Sequence, residues 1–371
     1  MDWILVLEWA VKSLILILVM LGGFAYLTLY ERKVLARIQV RVGPNRAGPW
    51  GILQPIADAI KLIFKEELVP AKAYKLIFIL APIVTLVPAV VITAVVPWGP
   101  DIQAFGRTIH LYIADINVGV LYITSVASIA VYGIVLAGWS SNNKYAMLGG
   151  LRATAQMVSY ELALGLTFVA AIMLAGSMRM LDIVEAQRSL WFVLLQPVGT
   201  AIFLIATLAE VNRAPFDMPE AEQELTAGYH TEYSGMKFAL LFMAEYDKMI
   251  AISTIGVTLF FGGYREFWFL SGTSLGVDQT PWLGPIYMFL KVAILLFGMI
   301  WVRATLPRIR YDRLMAFGWK ILLPLALALV FITAIGVIFE MLWLIPTLSV
   351  LAGLFAVAMV ELSLRRKAYA R

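Results

Sequence analysis

There is no cysteine anywhere in the 371 residues, and the only histidines are His110 and His230. Without thiolates the chain can form no disulfide, hold no iron–sulfur cluster through its own sulfur and build no zinc–sulfur site. Two imidazoles are too few for a multi-histidine metal centre. Charge is also scarce, at 14% of residues, where ordinary globular domains carry about 25%. No Gly-rich dinucleotide fingerprint opens a helix, and no long Gly/Ser linker, low-complexity tract or internal repeat interrupts the chain. What fills the sequence is apolar: 61% of residues, with a mean hydropathy of +0.86. Such a chain is organised by bilayer crossings of about 20 apolar residues each, not by soluble domains.

Nine apolar spans are expected, at 4–29, 76–96, 118–138, 158–176, 191–209, 238–261, 283–302, 321–339 and 344–363. The fold class is therefore an all-α polytopic membrane bundle, read as one domain over 1–371. Between the last two spans only Glu340 and Pro346 punctuate the run. The first span carries Asp2, Glu8 and Lys12, lacks a small-residue cleavage site and is followed at once by Glu31, Arg32 and Lys33. It reads as a retained anchor, not a signal peptide. Lys and Arg set the orientation. The segments 30–75, 139–157, 210–237, 303–320 and the C-terminal tail hold nine, two, two, five and four of them. The alternate loops hold only Arg107, Arg179, Arg188 and Arg265. The positive-inside rule then places the N-terminus outside and the C-terminus inside, which an odd number of spans satisfies. The excess of base over acid, +5 overall, is thus explained by topology before any nucleic acid is invoked.

The first inner loop reads YERKVLARIQVRVGPNRAGPW. Arg37, Arg41 and Arg46 would serve as a positive-inside anchor. Two turn signals, Gly43-Pro44 and Gly48-Pro49, also hold Asn45 and Arg46 on a tight loop. Arginine predominates over lysine here, and a planar guanidinium suits directed bonding to a carbonyl or carboxylate. In the following GILQPIADAIKLIFKEE, Ile52, Leu53, Ile56, Ile60, Ile63 and Phe64 fall on one helical face, with Gln54, Asp58, Lys61 and Lys65 on the other. A helix of that length and charge lies along the membrane interface. It is either a plain lipid anchor or the lip of an entrance from the bilayer; the residues alone fit both.

The acids are the anomaly. The inner segment 210–237 holds Glu210, Asp217, Glu220, Glu222, Glu224 and Glu232 against Arg213 and Lys237. Pro219 suits the first position of a short helix. In a helix Glu220 and Glu224 share a face, whereas in an extended segment Glu222 joins them. A solvated acidic loop would explain these residues in a soluble protein. Crowded, desolvated carboxylates instead hold protons more readily, which allows proton storage and relay. Further acids lie within apolar spans: Glu161, and Glu245 and Asp247 beside Lys248. Lys291 is a buried base of the same kind. Intramembrane ionisable groups face a bundle interior or a water path, so Glu161, Glu210, Glu245 and the loop acids are read as one proton-carrying route. Asp115 either joins it or caps a helix.

Two stretches, ERKVLARIQVRVGPNRAGPWGILQPIADAIKLIFKEE and AEVNRAPFDMPEAEQELTAGYHTEYSGMKFALLFMAEY, closely resemble the signature loops of the H-subunit family of NADH–quinone oxidoreductase, the bacterial counterpart of mitochondrial complex I subunit 1. RATLPRIRYDRLMAFGWK is similar to its third inner loop, and the likeness runs to about residue 325. A ninth span, in 341–371, exceeds the commoner eight-span pattern but resembles versions found in some bacteria. The resemblance implies a membrane subunit of a proton-translocating enzyme, at the junction of its peripheral and membrane arms. It implies that Arg37, Arg41 and Arg46 help form a quinone chamber, with Asp58 on the helix flanking its entrance. It implies an acidic funnel of Glu210, Asp217, Glu220, Glu222 and Glu224 with Glu161 and Glu245. Quinone, ubiquinone or menaquinone, would be the substrate, with no flavin, metal or iron–sulfur cluster in this chain. Electrons would then come from partner subunits, namely peripheral-arm iron–sulfur and quinone-site subunits, beside small membrane subunits, in a bacterial inner membrane. The alternative reading of the same motifs is the related membrane subunit of an energy-converting hydrogenase; a stand-alone proton-coupled transporter is more remote.

Overall fold

Where no water reaches the backbone, amides and carbonyls must be satisfied within their own segment, and apolar runs fold as helices. The computed structural model describes residues 3–104, 107–218, 228–267, 270 and 272–369. Its helices are α1 (Trp3–Ile38), α2 (Gln54–Ile63), α3 (Lys75–Val91), α4 (Gly119–Ser140), α5 (Lys144–Ala175), α6 (Met180–Ala186) and α7 (Phe192–Leu195), then α8 (Pro197–Glu210), α9 (Gly235–Phe260), α10 (Gly284–Thr305), α11 (Tyr311–Phe317), α12 (Leu323–Ile338) and α13 (Leu344–Tyr369). A π-helical turn, Gly318–Leu322, joins α11 to α12. The chain is an all-α membrane bundle. Among the described residues, strand occurs as one hairpin, Ile102–Ala104 paired antiparallel with Arg107–Ile109, Gln103 opposite Thr108. That hairpin marks one end of the bundle; the loops 39–53, 211–234 and 306–310 mark the other, called here the loop-rich end.

Seven helical segments among the described residues are long and apolar enough to cross a bilayer, including Leu344–Leu362 at the C-terminal side. The two other expected spans take different forms. The fifth is broken: α7 stops at Leu195, Gln196 adopts φ −129° and ψ 62°, and α8 restarts at Pro197. Proline lacks an amide and pushes its predecessor out of helical geometry. Gln196 fills the break by donating to Ala170 O and Thr333 Oγ1, both at 3.1 Å. The sixth, α9, has 26 residues and carries Lys237, Glu245, Asp247 and Lys248. It packs against α1, α3 and α10, and its second half is buried almost continuously. A helix surrounded by protein can carry charges that a lipid-facing one cannot.

Helices also outrun the apolar stretches that announce them. Glu31, Arg32, Lys33 and Arg37 are still helical in α1, α5 starts at Lys144, and Arg313 lies in α11. Much of the expected loops 30–75, 139–157 and 303–320 is therefore helix. Close approach between helices depends on glycine at two points. A Cβ on Gly133 of α4 would lie 2.1 Å from Thr85 Oγ1 of α3, and one on Gly149 of α5 would lie 2.5 Å from Gly228 Cα. Small residues let helix backbones approach in this way.

The hairpin end of α9 is sealed. Lys291 Nζ donates to Phe261 O (2.7 Å), Gly263 O (2.9 Å) and Arg265 O (2.7 Å), and lies 4.4 Å from the Trp191 ring. Gln187 donates to Thr258 O and accepts from Gly262 N. Below this closure Phe203 contacts both Phe168 and Phe260, with centroids 6.1 and 5.1 Å apart.

Candidate functional site

At the loop-rich end, four charged side chains from four segments meet, with Glu31 and Arg213 buried, Glu245 nearly so and Arg303 partly exposed. Glu31 comes from α1, Arg213 from the turn after α8, Glu245 from α9 and Arg303 from the last turn of α10. Arg213 Nε lies 2.7 Å from Glu245 Oε1 and its Nη1 3.4 Å from Glu31 Oε1. Arg303 pairs with the same oxygen of Glu31. The Arg213 guanidinium also stacks 4.2 Å from the Tyr246 ring centre. Two acids and two bases balance, so the cluster is neutral. The turn that delivers Arg213 is held by Asn212 in the left-handed region, φ 56°, which asparagine tolerates. Gln156 Nε2 of α5 clamps it by donating to Ala209 O at 2.8 Å and Phe216 O at 2.7 Å.

One helix turn deeper, Glu161, Glu210 and Lys248 line a cavity of about 40 Å³ among α4, α5, α8 and α9. Its other walls are apolar, among them Ile92, Ile123, Phe168 and Ile255. A buried water needs roughly 10–15 Å³ and polar partners, so this space suits water at its charged side. Lys248 Nζ pairs with Glu210 Oε1 at 2.6 Å; Glu210 Oε2 has no hydrogen-bond partner among the described residues. Glu161, half-buried, is bonded to Ser128 Oγ of α4. Thus Glu161, Glu210 and Glu245 gather along α9, each answered by a specific partner, a serine for Glu161, a lysine for Glu210 and an arginine for Glu245. Asp217 is half-buried and partnered in the turn beyond. Glu220, Glu222 and Glu224, and the helix start expected at Pro219, lie outside the described residues.

The basic loop is built differently. Arg37, Arg41 and Arg46 are exposed, and none forms an ion pair among the described residues; Arg41 Nε donates to Gln39 Oε1 at 2.7 Å. Asp58 is a clamp: it accepts from Arg32 Nη1 at 2.7 Å and from Gln54 Nε2 at 3.2 Å, tying α2 to the end of α1. The apolar face of α2 stays uncovered, with Ile56, Ile60, Ile63 and Phe64 exposed beside Trp50, which is 80% exposed at φ 55°. Uncovered apolar surface of this extent marks a place for lipid, ligand or a partner. Beyond the acid turn, His230 is buried between Tyr229 and Phe238, with Nδ1 unpartnered. Burial pushes its pKa down to about 4, so it is neutral at pH 7.

Sequence reasoning placed the acids but missed their partners. Glu31 and Arg303 read as topology, Lys248 as the neighbour of Glu245 and Asp247, and Ser128 as nothing at all. The pairs join residues far apart in the chain, such as Glu31 with Arg303, and no local spacing announces them. The sole hint was Lys248 three residues after Glu245, and it bonds elsewhere.

Comparison with known proteins gives a consistent result. A family model described as NADH dehydrogenase matches residues 11–334. The NADH-quinone oxidoreductase H subunit of Thermomicrobium roseum is 50% identical over 337 residues, 88% of this chain and 95% of that one. The H subunit of Deinococcus deserti is 50% identical over 364 residues, covering 98% of this chain and 92% of that one. That of Protochlamydia amoebophila is 50% identical over 312 residues, covering 84% and 91%. The family model ends before α13, whereas the Deinococcus match extends into it.

Proposed function

Since the chain belongs to the H-subunit family of NADH–quinone oxidoreductases, and so is one membrane subunit of a larger enzyme, we propose that it couples quinone reduction to proton movement. The exposed arginines Arg37, Arg41 and Arg46 and the open apolar face of α2 form one side of the quinone chamber. Apolar surface receives the isoprenoid tail, guanidinium groups bond the headgroup oxygens, and a peripheral-arm partner with iron–sulfur centres completes the wall and delivers electrons. From that loop the neutral cluster of Glu31, Arg303, Arg213 and Glu245 leads inward to Lys248, Glu210 and Glu161. The acids Asp217, Glu220, Glu222 and Glu224 belong to the same route by their place in the loop.

The observation that carries this reading is the cavity in which Glu161, Glu210 and Lys248 meet inside an apolar bundle. Reducing a quinone consumes protons and changes charge beside the loop. A neutral cluster of paired charges responds to such a change by re-pairing, which biases where protons sit. The membrane is a bacterial inner membrane, with the loop-rich end on the cytoplasmic side. In the assembled enzyme, Glu210→Gln removes the exchangeable proton and keeps the shape. Proton-coupled quinone reduction is expected to fall while electron transfer from NADH to an artificial acceptor persists. Normal pumping and quinone reduction in an assembled Glu210→Gln enzyme would remove this route.

A further inference from the structure

Asp247 is the titratable group that the route above leaves unused. It lies in α9 at 0% exposure, and neither carboxyl oxygen has a hydrogen-bond partner among the described residues. No basic side chain pairs with it among the described residues; the ammonium next to it, Lys248, is turned to Glu210 at 2.6 Å. An ionised carboxylate there would have neither water nor counter-charge, and a buried acid meets that cost by keeping its proton.

Its position on the helix connects it to the cavity. Residues 247, 251 and 255 share one face of α9, and Ala251 and Ile255 line the cavity, as does Lys248. The Asp247 carboxyl therefore sits about one turn, roughly 5.4 Å along the axis, from the cavity wall on the loop-rich side. Glu161, Glu210 and Lys248 thus line one small pocket with mostly apolar walls, and Asp247, outside that lining, stands about one turn away on the same helix as Lys248.

We propose that Asp247 and Glu210 form a two-position proton store that shares the ammonium of Lys248. In the first arrangement, the one that matches the Lys248–Glu210 pair, the proton is on Asp247 and Glu210 is ionised. In the other arrangement the Asp247 O–H bond has broken, the proton has passed through cavity water to an oxygen of Glu210, and the Lys248 ammonium has turned on its flexible stem to the new Asp247 carboxylate. Each arrangement holds two acids, one transferable proton and one ammonium, so the net charge is zero in both. The proton changes place without uncompensated charge appearing in the apolar interior. The store rests on the reading of Glu210 as part of the proton route and adds a loading site to it.

The test uses the assembled enzyme with aspartate carrying ¹³C, examined by infrared difference spectroscopy between oxidised and quinone-reducing states. A protonated aspartic acid carbonyl band that shifts on turnover is expected, and it should vanish in Asp247→Asn. Proton-coupled quinone reduction should fall by about a hundredfold or more in that variant, the order expected for losing one proton-transfer group, and Asp247→Glu should restore it. Absence of a turnover-linked aspartic acid band in the wild-type enzyme would overturn the proposal even where the Asn variant fails to assemble. Wild-type turnover and pumping in Asp247→Asn would overturn it too. If Glu210→Gln is impaired while Asp247→Asn is normal, the route stands and the store falls; if both are normal, both fall.

Discussion

Replacing Arg213 by Met leaves Glu31 and Glu245 with Arg303 as the one remaining base of the cluster. Arg213 is 3% exposed and the Glu245 side chain only 12%, so the carboxylate it abandons recovers little hydration. Breaking a buried pair from one side costs about 3–5 kcal/mol, whereas replacing both partners with apolar groups is often neutral. Arg213→Met is therefore expected to lower the thermal stability of the assembled subunit by that order. Arg213→Met with Glu245→Met should recover much of the loss. Equal losses for the single and double variants, measured by thermal unfolding in the same detergent, would show that the pair does not hold the turn. The same reasoning separates what the sequence displayed from what it hid. An acid in an apolar run is visible because lipid cannot host it. Its partner is invisible because it arrives from another helix: Arg213 and Glu31 stand 182 positions apart.

At the scale of elements, hydropathy located seven of the nine expected spans because bilayer thickness sets a minimum apolar length. It misjudged their ends because helical hydrogen bonding continues past the apolar stretch; Glu31 to Arg37 in α1 extend the helix beyond the apolar run. The Gln196-Pro197 break carried a signal in its proline, and α9 resembled a span although protein, not lipid, surrounds it. Helix pairing was not legible, since it depends on which glycine faces which backbone. Gly133 sets the α3–α4 distance, and Gly133→Ala is expected to cost about 1–3 kcal/mol through overpacking. Gly298→Ala in α10, where an added Cβ meets nothing within 4 Å, should stabilise by up to about 1 kcal/mol through helix propensity. Thermal unfolding of the two variants side by side checks this, and a tolerant Gly133→Ala would mean that the helices can separate without loss.

For the whole molecule, the absence of cysteine becomes an experimental advantage, because a single introduced thiol has no native competitor. Leu275→Cys lies at the hairpin end and Leu68→Cys at the loop-rich end, at sites 50% and 62% exposed. With the positive-inside orientation, a membrane-impermeant maleimide should label Leu275→Cys in intact cells and Leu68→Cys only after permeabilisation. The opposite pattern would invert the topology. The closure at the hairpin end bears on how such a protein sits in an energised membrane. Lys291 on three carbonyls, Gln187 across the helix end and the Phe168–Phe203–Phe260 contacts fill that half of the bundle with bonded polar groups and packed rings. On the proposed topology, a field worth about 2.3 kcal/mol per charge for each 100 mV would fall mainly across this closely packed layer, with the charged pocket nearer the potential of the loop-rich side. On the proposed proton route, the chain would then exchange protons with one compartment without short-circuiting the gradient, and a proton bound for the far side would leave through a neighbour.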